Sequence, residues 1–198
     1  MSDLGVAQTI VKEAEAALVR GLAARAPEAC GALYDRFALG VHRYAVARLR
    51  GETGLAEEIV VETMAEVVRD IRRLNPGRSS LSAWVYGIAR RRVLLEIRRQ
   101  QRRKSVPPWA QVAMESVGEA SDGPSLESRT LSRLEAQRQV ALLTEMLSEV
   151  EMEALTLSGV EELSAREIGQ VMGRSERAVH SILHRARTKA RERLAEDD

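Results

Sequence analysis

Apolar residues recur every three or four positions along most of this chain, the period of an α-helix seen from its buried side. Ile10, Ala14, Ala17, Leu18 and Leu22 predict a helix from about Val6 to Arg25, and Pro27 suits the first turn of the next. Leu33, Phe37, Val41, Tyr44, Ala45 and Leu49 carry that second helix up to Gly51. After a turn over Gly51-Glu52-Thr53-Gly54, a third helix holds Ile59, Val60, Val67, Val68, Ile71 and Leu74, and Asn75-Pro76-Gly77 ends it. Ser80 or Ser82 starts a fourth, through Trp84, Val85, Ile88 and Ala89. The period is lost from Ser105 to Pro124, where Pro107-Pro108, Gly118 and Asp122-Gly123-Pro124 read as a linker. A further helix is expected from about Leu126 to Leu147.

The last fifty residues are the most strongly punctuated. Ser148 has Glu151 three residues on and Ser164 has Glu167, so both spacings predict capping boxes. Ser175 follows Gly173-Arg174 and can cap a third short helix. Ile168, Val171 and Met172 line one face of the second of these helices. Val179, Ile182, Leu183, Ala186 and Ala190 line one face of the third. Two such helices across a tight glycine turn make a helix-turn-helix, whose second helix is shaped for a DNA major groove. The expectation is an all-α fold of two helical domains joined by a flexible linker. The N-terminal domain spans residues 1–104, the linker 105–125, and the C-terminal helix-turn-helix domain 126–198.

Composition agrees and adds a charge pattern. Aromatic content of 3% and an excess of Ala, Leu, Glu and Arg favour helices over sheets. The net charge of +1 averages over segregated blocks. Arg90 to Lys104 holds eight basic residues and one acidic, whereas Glu145 to Glu162 holds six acidic and none basic. Separation of this kind implies an anionic partner for some faces and a different partner for others. Cys30 is alone among small apolar neighbours, which predicts a buried structural thiol in a reducing cytoplasm. No signal peptide is visible and no apolar run approaches a membrane span, so a soluble cytoplasmic protein without a membrane partner is expected. No phosphate loop, catalytic triad or metal spacing appears, so neither an enzyme with a small-molecule substrate nor a cofactor is expected. His180 and His184 lie one turn apart but have no third ligand nearby.

These features together resemble sigma factors of the extracytoplasmic-function type, the two-domain members of the sigma-70 family. LSAREIGQVMGRSERAVHSILHRAR, residues 163–187, is similar to that family's LS-x-x-EIA-x-x-[LM]-G-x-S-x-x-TV-x-S-x-L-x-RAR. ALYDRF from Ala32, AEEIVVETM from Ala56 and WVYGIARRR from Trp84 match the family's N-terminal motifs in order and spacing. The likeness covers roughly residues 25–104 and 126–194. It departs at Glu58 and Val61, where the family has Asp and Gln, and at Arg91 and Leu95, where it has Asn and Asp.

The recognition helix presents Arg177, His180 and Ser181 as candidate base readers, since the first turns of such a helix reach base edges. Arg174, His184, Arg185, Arg187 and Lys189 are candidate phosphate contacts, and Ser175 is counted in the same DNA-binding surface. The resemblance implies that the second DNA surface, which binds the melted promoter element, includes Asn75, Arg78, Ser79 and Ser80 in the loop. On the helix it includes Tyr86, Arg90, Arg91, Arg98, Arg99 and Arg102. There a basic groove neutralises phosphates while polar loop side chains hold a splayed base. Trp84 reads as core and Tyr86 as the exposed ring. The resemblance also implies that Glu57, Glu58, Val61, Glu62 and Arg69 face the clamp helices of core RNA polymerase, and that the last domain sits on its flap. The acidic stretch should then face away from DNA, and acidic linker residues such as Glu115, Glu119, Asp122 and Glu127 would lie in the polymerase cleft. Family members are often held inactive by an anti-sigma factor over the core-binding surfaces. Two rivals remain at this point: a helix-turn-helix regulator that never binds core polymerase, and an adaptor whose basic faces bind an acidic protein.

Overall fold

A computed structural model describes residues 3–104, 146–160 and 163–196. All of its regular elements are helical. They are α1 (Asp3–Ala23), α2 (Pro27–Arg48), α3 (Thr53–Asp70), α4 (Leu81–Lys104), α5 (Glu149–Val160), α6 (Ala165–Met172) and α7 (Glu176–Glu196). The linker expected at 105–125, and the helix expected from Leu126 as far as residue 145, lie outside the described residues. No helix among those described is long and apolar enough to cross a membrane.

Each helix end has a local cause. Pro27 opens α2, its missing amide falling where no intrahelical bond is due. Arg25 and Arg50 take left-handed φ values of 58° and 57° just beyond α1 and α2, and Gly51 continues that turn at 87°. The third helix ends earlier than its apolar period suggests. It stops at Asp70, and Ile71–Arg73 tighten into a 3₁₀ turn. Pro76 keeps Asn75 out of helical geometry, so the chain must leave the helix before it. Of the two serines before α4, Ser80 is the cap: its hydroxyl accepts the amide of Ala83 at 3.1 Å. The carboxylate of Glu15, on α1, takes the amide of Leu81 at 2.8 Å, so a second orphan donor of α4 is satisfied from across the fold.

The N-terminal helices enclose Leu22, Leu33, Phe37, Val41, Tyr44, Val67, Val85 and Tyr86, all at most 1% exposed. Trp84 is half-buried against this core, and so is Cys30, which is less enclosed than its neighbours suggested. The core does not stop at the end of the N-terminal half. Ala154, Leu157, Ile168, Val179, Ile182 and Leu183 belong to the same apolar cluster, so the two halves share one interior.

The helix-turn-helix forms as its spacing predicts. Ser164 and Glu167 make a reciprocal capping box on α6, Gly173 ends that helix at φ 66°, and Arg174 returns its amide to Gly169 O at 2.8 Å. Ser175 accepts the amide of Ala178 at 3.3 Å to start α7. A Cβ placed on Gly169 would lie 2.6 Å from the carbonyl oxygen of Arg174, so the turn closes directly on this position. Gly169→Val is therefore expected to force the turn open and destabilise the protein by about 2–3 kcal/mol. Urea unfolding followed by circular dichroism would measure it, and an unchanged midpoint would count against this close approach.

Candidate nucleic-acid interface

Most of the basic residues described in the C-terminal unit stand on the outer side of α7 or in the turn before it. Arg174, Ser175, Arg177, His180, Ser181, His184, Arg185 and Arg187 are all exposed, while Val179, Ile182, Leu183 and Ala186 face the core. The three proposed base readers thus share the open face of the first turns. His180 lies 3.9 Å from Glu176, one turn earlier. Among the described residues no group of three His, Cys, Asp or Glu side chains could hold a metal ion.

Two members of the set are held from behind. Glu151, on α5 and only 5% exposed, accepts from the Lys189 ammonium at 2.8 Å and lies 3.7 Å from Arg185. It also closes the capping box with Ser148, whose amide donates at 3.0 Å and whose hydroxyl accepts the Glu151 amide at 3.3 Å. The Lys189 bond first, and then the Ser148 amide, hold its carboxyl down at about 2. Lys189 is thus a strut that positions α7 on α5 as well as a candidate phosphate contact.

The N-terminal surface differs from its sequence reading. Tyr86 is fully buried, not an exposed ring. Its ring meets Tyr44 edge-on, centroids 6.0 Å apart, a favourable use of aromatic area in a chain with few aromatics. Arg90 does not face solvent as an open phosphate site. Its Nε and Nη2 donate to the two carboxylate oxygens of Glu153 at 2.9 and 3.2 Å. The hydroxyl of Tyr44 donates to the same carboxylate at 3.1 Å. Burial, and then the charge of Glu153, push the Tyr44 hydroxyl well above the usual phenol range, so it remains a donor. Ser80 donates to Glu167 at 2.6 Å, and the Gln170 amide donates to the carbonyl of Arg78 at 3.0 Å. Burial favours the neutral form of Glu167, but the hydroxyls of Ser164 and Ser80 and the Ser164 amide outweigh it and lower its pKa. Asn75, Arg98, Arg99 and Arg102 are exposed, and Ser79 is half-buried.

Part of the acidic stretch is drawn into the fold. Glu151 and Glu153 are buried, one serving α7 and the other α2 and α4. Periodicity could not single out Glu153, Tyr44 or Glu15 as partners, because ion pairs between distant segments leave no local signature. The only hint was the opposite sign of the two charge blocks.

On α3, Glu57, Glu58, Val61, Glu62 and Arg69 are all exposed, and Val61 is 64% exposed among the carboxylates. Glu66 takes Arg91 and Arg92, both at 2.6 Å, and Glu62 also pairs with Arg92. Arg91, where the motif usually has Asn, thus braces α4 against α3. Leu95, the other departure, is an exposed apolar side chain.

Comparison with known proteins matches this geometry. Residues 33–103 match sigma-70 region 2 and residues 137–189 match sigma-70 region 4. The chain is 32% identical over 185 residues to the ECF RNA polymerase sigma factor BldN of Streptomyces coelicolor, covering 91% of this chain and 66% of that one. It is 30% identical over 179 residues to the ECF RNA polymerase sigma factor SigL of Mycobacterium tuberculosis, covering 86% of this chain and 91% of that one. In fold it is similar to CnrH in complex with the cytosolic domain of CnrY, with a TM-score of 0.63 at 22% identity over 93% of this chain and 99% of that one. It is also similar to the sigma factor RpoE in complex with the anti-sigma factor NepR from Bartonella quintana, with a TM-score of 0.57 at 23% identity over 81% and 94%.

The depressed pKa of Glu151 has a measurable sign. A carboxyl whose folded pKa lies below its ordinary 4.5 stabilises the fold fully above that pH, and the contribution is lost as pH falls toward about 2. The urea midpoint of the native protein should therefore fall across this range. Glu151→Gln should be less stable at neutral pH and fall less steeply, so that the two curves converge in acid. Parallel curves would contradict the assignment.

Proposed function

The chain belongs to the extracytoplasmic-function RNA polymerase sigma factors of the sigma-70 family, and we propose that it serves as a promoter-specificity subunit of bacterial RNA polymerase. It binds core enzyme through α3, reads the distal promoter element with α7, and helps melt the proximal element with α4 and the loop before it. The carrying observation is the capped helix-turn-helix with an open basic face, on the same chain as a region 2 match with an exposed charged α3. A helix-turn-helix regulator needs no second domain of this kind. The protein acts by binding, and its residues perform no covalent chemistry. The chain spans 66% of BldN, so the activity of a longer relative is carried over here as part of the proposal. The relative RpoE is seen with an anti-sigma factor, which makes such a protein a further partner in this reading.

The division of labour on α7 follows from contact chemistry. Arg177, His180 and Ser181 choose bases, and Arg174, Arg187 and Lys189 hold phosphates. Arg177→Ala should cost about 1–3 kcal/mol on the preferred promoter and relax selection at one base position. Arg187→Ala should weaken all duplexes alike and make the slope of log K against log salt shallower by about 0.9. Binding of both variants to a promoter and to its point variants, across salt concentrations, measures the two effects. A uniform loss with Arg177→Ala would remove it from the base readers.

The reading as a whole is tested by transcription in vitro with core polymerase on a library of genomic fragments. Specific initiation is expected, and failure to initiate with folded protein and active core would overturn it. Val61→Asp, on the outer face of α3, should weaken the complex with core roughly tenfold by placing a charge in an apolar contact. Duplex binding by α7 should be unchanged. A folded protein that binds duplex DNA yet forms no complex with core would instead favour the plain regulator.

A further inference from the structure

A charge taken out of water needs a partner, and one buried charge in this fold lacks it. Arg48, Glu151 and Glu153 are the charged side chains buried among the described residues. Glu151 meets Lys189, and Glu153 meets Arg90. Arg48, the last residue of α2 and only 9% exposed, has no carboxylate within ion-pairing distance among the described residues. Its Nη1 donates to the carbonyl oxygen of Glu149 at 3.4 Å, a long and weak bond. Its Nε is buried with no acceptor. A donor on a charged group is more costly to leave unmet than a neutral one.

The same side chain lines a cavity of about 190 Å³ between the end of α2, the end of α4 and the start of α5. Ile97, Leu147 and Met152 give this cavity an apolar wall, and Gln100 adds a half-buried amide. Arg50 borders it as a second, exposed cation. Glu149 borders it too, but it is an exposed residue that meets Arg48 through its backbone carbonyl. We propose that this cavity is a binding site for a small organic anion. The carboxylate of the ligand pairs with the Arg48 guanidinium, and its short apolar body lies against Ile97, Leu147 and Met152.

The size and lining of the cavity choose the class. A volume of about 190 Å³ falls below the roughly 300 Å³ at which sites for drug-sized ligands begin, so the ligand is an acid of a few carbons rather than a nucleotide. Water fits as well and offers Nε an acceptor, but it leaves the charge unbalanced. An anion supplies both the acceptor and the charge, and the planar fork of arginine suits a carboxylate. The apolar wall adds what a bare inorganic anion cannot use. Because α2 and α4 precede the linker and α5 follows it, occupancy also favours the packing in which these walls meet.

The test uses the full chain with sodium hexanoate as the probe, and with 1-hexanol and inorganic phosphate as controls at matched ionic strength. Titration calorimetry reads affinity, and urea unfolding reads stability. Hexanoate should bind the native chain with a Kd of roughly 1 mM or tighter and raise its urea midpoint. Hexanol and phosphate each carry half of the required chemistry and should bind at least roughly tenfold more weakly. Arg48→Met should lose hexanoate binding, yet be no less stable than the native chain without ligand, because it removes an unpaired buried charge. An arginine that serves packing alone would give the opposite pair of results. Gln100→Glu supplies a carboxylate to the cavity with little change of shape. It should raise the urea midpoint at neutral pH and weaken hexanoate at least roughly tenfold, and it carries the test if Arg48→Met does not fold. No binding by the native chain, the result expected of a hydrated cavity only, would overturn the proposal. So would hexanol or phosphate binding as tightly as hexanoate, or hexanoate binding retained in both variants. These readouts involve neither DNA nor polymerase, so the site and the promoter-specificity reading stand or fall separately.

Discussion

A carboxylate removed from water must be paired, and Glu153 is the place where this rule organises the molecule. Its partners, Arg90 on α4 and Tyr44 on α2, come from the other half of the chain. Leaving it without Arg90 would cost about 3–5 kcal/mol, the usual penalty for breaking a buried pair. That requirement ties α5 to the groove between α2 and α4. Tyr44 is held there from two sides, by the carboxylate through its hydroxyl and by Tyr86 against its ring.

Two residues away, Glu151 does the same for the other side of α5. Two positions on an α-helix differ by about 200° in direction, so the two carboxylates point almost oppositely. One therefore binds Lys189 of α7 and the other binds Arg90 of α4. The short helix is an electrostatic spacer between the recognition helix and the N-terminal half. Within the acidic block, Glu151 and Glu153 are spent inside the fold on partners from the basic segments. Exposed charge is present on α7, at the end of α4 and on α3, the three places with a proposed macromolecular partner, and also on α1, α2 and the turn after α3.

The helices and their caps were legible because their causes are local. Ser148, Ser164 and Ser175 act within three residues, and so do Pro27 and Gly173. The open face of α7 was legible for the same reason, since a period of 3.6 separates Val179 and Ile182 from Arg177 and Ser181 once the helix is granted. The family motifs extended this to the N-terminal half. Tyr86 went wrong because an aromatic ring beside a basic cluster suits a stacking platform as well as a core, and nothing nearby in the chain tells them apart. The engagement of Arg90 was not legible because its partner lies sixty-three residues away.

By itself, then, the sequence determined the helices of the described residues, the position of the helix-turn-helix, and which residues of α7 lie on its open face. Periodicity and capping depend only on neighbours along the chain, and these statements follow from them. The tertiary structure decided which charges are free and which are spent on each other. It packed the two halves around one apolar interior, set Glu153 on Arg90 and Glu167 on Ser80, and left the outer face of α7 uncovered. Those outcomes depend on which distant surfaces meet, because the pairing of a buried charge is settled only when the whole chain has closed around it.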